Sequence, residues 1–176
     1  MEREKRHFDV IGQLSALRRY ARSLVRNPAE AEDLVHDALL RAYEKRFTFR
    51  VGSNLRAWLM SILHNTHVDR SRSARSRLGR EDAVRDAAEL AAPAAQEDVV
   101  RLAQIRRAFM ELPEDQREAL HLVAIEELSY QEAAEALGIP VGTLMSRISR
   151  ARARLRAIED GSREPGRLRI VGGTDE

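Results

Sequence analysis

The chain has 176 residues, of which 43% are hydrophobic and 33% charged, a formal net charge of +2 and no cysteine. This is enough apolar material for one medium core or two small ones, while the missing thiols exclude disulfides and thiolate metal sites. No run approaches the roughly 18 to 20 apolar residues that span a bilayer. The N-terminal MEREKRHFDV carries charge without an apolar signal core, so a cytoplasmic protein with no membrane partner is expected.

Residues 7–26 space Phe8, Ile11, Leu14, Leu17, Ala21, Leu24 and Val25 three or four apart, which predicts an amphipathic helix. Asn27-Pro28-Ala29-Glu30 then offers a cap, a proline at the first helical position and a glutamate three residues past the cap, so a second helix starts at once. It should reach about Lys45 and bury Leu34, Val35, Ala38 and Ala42. FTFRVGSN has no helical period and reads as a loop, with Ser53 or Asn54 capping a third helix. That helix should bury Leu55, Trp58, Leu59, Ile62 and Leu63 and expose Arg56, Asn65 and Arg70.

Residues 79–97 are mostly Ala, Asp, Glu and Arg with no large apolar stripe, and read as a flexible linker. Val99, Leu102, Ile105 and Phe109 start a second apolar pattern that stops at Leu112-Pro113. Pro113 can open the next helix, with Ala119, Leu120, Val123 and Ala124 inward. Ser129-Tyr130-Gln131-Glu132 is a capping box, and Gly138 closes the short helix that follows it. A last helix begins near Val141, and the tail from residue 159, with Gly161, Pro165 and Gly172-Gly173, reads as mobile. The expected fold is all-α: two small helical domains, 1–78 and 98–158, on a tether.

Charge is unevenly placed. Residues 64–80 hold five arginines against one aspartate, residues 80–98 two arginines against six acids, and residues 141–169 eight arginines against three acids. In the last helix Leu144, Ile148, Ala151 and Leu155 form the inward stripe, leaving Gly142, Ser146, Ser149, Arg150 and Ala153 opposite and Arg147, Arg152, Arg154 and Arg156 on the flanks. Small side chains bordered by guanidinium groups suit a helix entering the major groove, where the former approach base edges and the latter meet phosphates. Ala134, Gly138 and Leu144 give the preceding pair of helices a helix-turn-helix spacing.

On these residues the stretch LPEDQREALHLVAIEELSYQEAAEALGIPVGTLMSRISRARARL resembles region 4 of the extracytoplasmic-function sigma factors, and AEDLVHDALLRAYEKRFTFRVGSNLRAWLMSILHNTHVDRSR resembles their region 2. The wording LPEDQREAL, SYQEAA and GTLMSRISRARARL is most similar to the alphaproteobacterial general-stress subgroup. The resemblance implies a protein that binds core RNA polymerase and directs initiation at promoters with −10 and −35 elements, under the control of an anti-sigma factor. It implies polymerase contacts at Asp33, Leu34, Asp37, Leu40 and Arg41, with a core role as the competing reading of Leu34. The FTFRVGSN loop and the helix after it would capture and separate the −10 element, with Asn54, Asn65, Arg70 and Arg72 as contacts, while Trp58 is read as structural. Gly142, Thr143, Ser146, Arg147, Ser149, Arg150 and Arg154 would read the −35 element. At Met145 many members carry lysine or arginine, which puts the identity of the −35 sequence, and not the docking mode, in question. The family also implies that the free protein can pack its two modules together, with an anti-sigma partner over the polymerase-docking face.

Rival readings are weaker. His64, His67 and Asp69 lie close in sequence but lack a third ligand at a supporting spacing, so they are read as ordinary surface residues and no metal site is assigned. There is no P-loop, dinucleotide motif or nucleophile elbow, so neither catalysis, a cofactor nor a small-molecule substrate is expected. A stand-alone helix-turn-helix regulator would leave the first 72 residues needing a ligand or dimer role. A sigma-like decoy of an anti-sigma factor would usually carry a receiver domain, for which a single helix before Asn27 leaves no room, and would not need the arginine border.

Overall fold

The computed structural model describes residues 9–78 and 97–163, and within them it is helical, without strands. A 3-10 turn over Ile11–Gln13 leads into α1 (Leu14–Leu24) and α2 (Pro28–Glu44); a second 3-10 turn, Arg46–Thr48, precedes α3 (Leu55–Leu78). The second group of helices is α4 (Glu97–Met110), α5 (Glu114–Ala124), α6 (Tyr130–Leu137) and α7 (Val141–Arg163). The expected linker falls almost wholly outside the described residues, as does the tail beyond 163. Residues 159–163, expected in that tail, are helical: a glycine inside a helix costs only about 1 kcal/mol, so Gly161 does not stop α7.

The caps follow the sequence closely. Asn27 Oδ1 accepts the Ala29 and Glu30 backbone N–H groups at 2.8 and 3.4 Å, opening α2. Asn54, rather than Ser53, caps α3, accepting the Ala57 N–H at 3.3 Å. Ser129 and Glu132 close a reciprocal capping box at the start of α6, and Gly138 ends that helix at φ +64°. The left-handed conformation turns the chain toward α7 without a side-chain clash.

Three parts of the sequence reading need correction. The first helix starts later than its apolar spacing suggests. Asp9 accepts the Gly12 N–H at 2.9 Å, the chain makes a 3-10 turn, and Ile11 is left 81% exposed; Phe8 lies outside the described residues. Leu102 and Ile105 are also exposed, because α4 meets α7 near its C-terminal end, where Ala108 and Leu112 are buried and Phe109 is partly covered. In α5 Ala124 is exposed, while Gln116, Arg117, Glu118 and His121 are buried beside Ala119, Leu120 and Leu122.

That polar burial has one origin: the two helical groups pack against each other, α1 on α5 and α3 on α6. Helix α3 is therefore covered on two sides. Leu59, Ile62 and Leu63 are buried as expected, and so are Met60, His64, Thr66 and His67. Thr66 satisfies its hydroxyl by donating to the Ile62 carbonyl one turn back, at 2.7 Å. At the end of α5, Glu127 takes φ +56°, the one described non-glycine residue with positive φ. This conformation costs an L-residue about 1 kcal/mol. Because the Glu127 side chain is exposed, Glu127→Gly should stabilise the fold by about 0.5–1 kcal/mol, measured as a higher urea midpoint.

Candidate nucleic-acid interface

The α6–Gly138–α7 unit presents one clean surface. Leu144, Ile148 and Ala151 are buried and Leu155 partly so, which anchors α7 on α5 and α6. Gly142, Thr143, Ser146, Ser149, Arg150 and Arg154 are all exposed. Ser146 donates its hydroxyl to the Gly142 carbonyl at 2.9 Å, and the Arg150 Nε donates to the Ser146 carbonyl at 3.3 Å. A Cβ added at Gly142 would meet nothing within 4 Å. Arg147 differs from the other six. It lies at the edge facing α5, half-buried, with Nε 3.5 Å from Asp115 Oδ2.

In the first group of helices the candidate residues are laced together. Arg70 donates to the Asp37 carboxylate and, at 3.1 Å, to the Asp33 carbonyl, while Arg41 donates to Asp69 at 2.7 Å. Residues expected to serve two different partners thus tie α2 to the far half of α3. Leu34 is 1% exposed and belongs to the core, so it offers no docking surface. Leu40, Asn65 and Arg72 are exposed. The structure adds exposed apolar side chains in and beside the FTFRVGSN loop that the sequence reading did not single out. Tyr43, Phe47 and Val51 are exposed around the turn, with the Arg46 guanidinium 4.2 Å from the ring centroids of both Tyr43 and Phe47. The available signal was large apolar residues in a segment with no helical period to bury them.

Beside this turn is a cleft of about 500 Å³, lined by Phe49, Arg50, Asn54 and Trp58 on one side and by Glu132 and Glu135 of α6 on the other. The Phe49 and Trp58 rings meet at a tilt of 56° with centroids 5.3 Å apart. Asn54 donates its amide to Glu132 Oε1 at 2.8 Å, crossing between the helical groups. Hydrogen bonds from the Ser129 backbone, the Ser129 hydroxyl and Asn54 hold the Glu132 carboxyl below its ordinary range.

The rest of the contact between the groups is built on buried polar side chains. Glu126 is 1% exposed and accepts from Arg19 Nε and Nη2, at 3.1 and 3.0 Å, with His121 Nε2 at 3.2 Å. Burial alone would raise its pKa, but the hydrogen bonds from His121 and Arg19 prevail and lower it. Arg56 donates to the Glu126 carbonyl at 3.3 Å. Arg117 crosses the boundary to the Ser23 carbonyl and also donates to the carbonyls of Met110 and Leu112, at 3.2 and 2.8 Å. His64 and His67 are not surface histidines, because α5 covers them. His67 Nε2 lies 2.6 Å from Glu114, and His64 Nδ1 3.6 Å from Glu118. Burial, aided by the Glu114 charge, pushes Glu118 up to about 7; burial, aided by His67, brings His64 down to about 4. Asp69 points to Arg41 instead.

A helical pair with an outward arginine-bordered face, carried beside a second helical unit with an exposed aromatic turn, defines a two-module DNA-reading protein. Comparison with known proteins gives the class its name. Residues 12–77 match the Sigma-70 region 2 family and residues 102–155 the Sigma-70, region 4 family. The ECF RNA polymerase sigma factor EcfG of Rhodopseudomonas palustris is 40% identical over 161 residues, covering 90% of this chain and 88% of that protein. The sigma factor RpoE of Bartonella quintana, solved with the anti-sigma factor NepR, has a TM-score of 0.77 at 34% identity and covers 93% of this chain and 100% of its own. CnrH, solved with the cytosolic domain of CnrY, gives a TM-score of 0.61 at 28% identity, covering 86% of this chain and 85% of its own. The chain belongs to the ECF RNA polymerase sigma factors, in their alphaproteobacterial stress subgroup. Sigma factors are not enzymes. Among the described residues no helix is long and apolar enough to cross a membrane.

Glu126 supplies a test of the contact between modules. Its lowered pKa means that the stabilisation it gives is present above the ordinary glutamate value of 4.5 and is lost as pH falls through the lower value of the closed form. Glu126→Gln should therefore cost about 1–3 kcal/mol at pH 7. The difference from wild type, followed by urea unfolding, should shrink progressively below pH 4.5 as the native carboxylate takes up its proton.

Proposed function

We propose that this chain binds core RNA polymerase and directs initiation by reading the −35 element as duplex with α7 and the −10 element with the turn and helix around residues 47–72. The observation that carries the reading is the outward face of α7: small and hydroxyl side chains at 142, 143, 146 and 149 beside the exposed guanidinium groups of Arg150 and Arg154. Hydroxyls can approach base edges while arginines contact phosphates or a guanine bidentately. Arg147 joins this surface by leaving Asp115. In the first module Asn54, Asn65 and Arg72 are proposed to contact the −10 strand, with Arg70 exchanging Asp37 for phosphate. Tyr43 and Phe47 add exposed rings on which an unpaired base can stack. Asp33, Asp37, Leu40 and Arg41 are proposed to dock on polymerase; Leu34 supports that helix from the core.

The two modules are taken to be the units 1–78 and 98–158. Their closed packing is proposed as a resting form, because Glu132 and Glu135 stand over the cleft beside Asn54 and would repel a phosphate backbone. Opening separates the modules, and polymerase then fixes their spacing and raises the effective concentration of the second DNA contact. An anti-sigma factor, as in the RpoE–NepR complex, would hold the chain away from polymerase. Catalysis belongs to polymerase, and the protein works in the cytoplasm.

Run-off transcription with purified core polymerase and a promoter library tests the reading: site-specific initiation that depends on this chain is expected, and its absence after any inhibitor has been removed would overturn it. In the same assay Arg150→Ala should cost about 1–3 kcal/mol and relax preference at one −35 position. Phe47→Ala should weaken opening of the −10 element by about 1–3 kcal/mol with little change in the urea midpoint, since Phe47 is 84% exposed.

A further inference from the structure

His64 and His67 were set aside as metal ligands because no third ligand follows them in sequence; folding supplies one from α5. His67, Glu114 and Glu118 each bring a ligand atom into a cluster whose members all lie within 4.8 Å of one another, and His64 Nδ1 stands 3.6 Å from Glu118. We infer that His67, Glu114 and Glu118, with His64 as the fourth ligand, form a binding site for a divalent transition-metal ion of the zinc type that fastens the two modules together.

The ligand chemistry fits such an ion. Imidazole nitrogens and carboxylate oxygens form a borderline set that suits zinc better than calcium or magnesium, which prefer oxygen alone. A tetrahedral ion with bonds of about 2.1 Å needs its ligand atoms about 3.4 Å apart. His67 and Glu114, now 2.6 Å apart, must open slightly and the others close in, which side-chain rotation can do. The histidines sit three apart on α3 and the glutamates four apart on α5, so each pair lies on one helical face. Three of the four side chains are buried and only Glu114 is exposed, which leaves an entry path. Among the described residues Arg117 donates to the carbonyls of Ser23, Met110 and Leu112, and Arg147 approaches Asp115.

The ligands come from both modules, so the ion binds the closed form better than the open one and shifts the equilibrium toward closure. Metal would restrain the same motion that promoter binding requires, a regulation independent of which promoter is read. The test uses the full chain, stripped with a chelator and titrated with zinc, with cobalt as a spectroscopic probe. Expected are one tight equivalent, a visible cobalt band of tetrahedral type, and affinity weakened at least about tenfold in His67→Ala and Glu118→Gln, with no change in His36→Ala. Glu114→Gln, at an exposed position, gives a variant that keeps its fold if the buried substitutions do not. Because the chain has no cysteine, two can be introduced for dyes, one per module. Zinc should move the opening transition, read by energy transfer, to higher urea in the otherwise wild-type chain and not in the Glu114→Gln background. No stoichiometric binding, binding undiminished in Glu114→Gln, or binding that leaves the opening transition where it was would each overturn the inference.

Discussion

The arrangement of this chain rests on Glu126, a carboxylate removed from water at the boundary between two helical modules. A buried charge is tolerable only when its lone pairs are filled, and here His121 from its own module and Arg19 from the other do so. Two of these three hydrogen bonds are thus supplied across the boundary. If the modules part, water replaces Arg19 and the penalty disappears, so the contact is specific without being irrevocable. An apolar interface of the same extent would hold more tightly and exchange less readily.

Much else follows from this polar joint. Helix α3 must present an apolar face to α1 and α2 and a mixed face to α5 and α6, so it has no single hydrophobic side. The −10 candidates Asn54 and Arg70 are each held by an acid in the closed form, one on α6 and one on α2. The −35 candidates, apart from Arg147, are paired with no acid among the described residues. In the packed arrangement two of the four −10 candidates are thus engaged by acids, while Asn65 and Arg72 remain exposed.

Local features were legible in the sequence because their physics is local. Asn27, Asn54, Ser129-Glu132 and Gly138 signal caps and turns within a few residues, and the Leu144-Ile148-Ala151 stripe fixes which face of α7 looks outward. The all-helical fold and the helix-turn-helix followed from these. What could not be read depends on long-range packing. Periodicity predicts one buried face, so it missed Met60, His64 and His67, which lie on another side of α3. It overpredicted Leu102 and Ile105, whose helix is exposed from residue 101 to residue 107. Pairings such as Arg70 with Asp37 or Arg147 with Asp115 join charges far apart in the chain, and no spacing rule announces them.

Gly142 has open space where a side chain would stand, at the start of the helix whose other side is locked by Leu144. A methyl group can be added there without meeting a neighbour. If this face reads the −35 element as proposed, substitution at this position would change which genes are switched on while the scaffold is inherited intact.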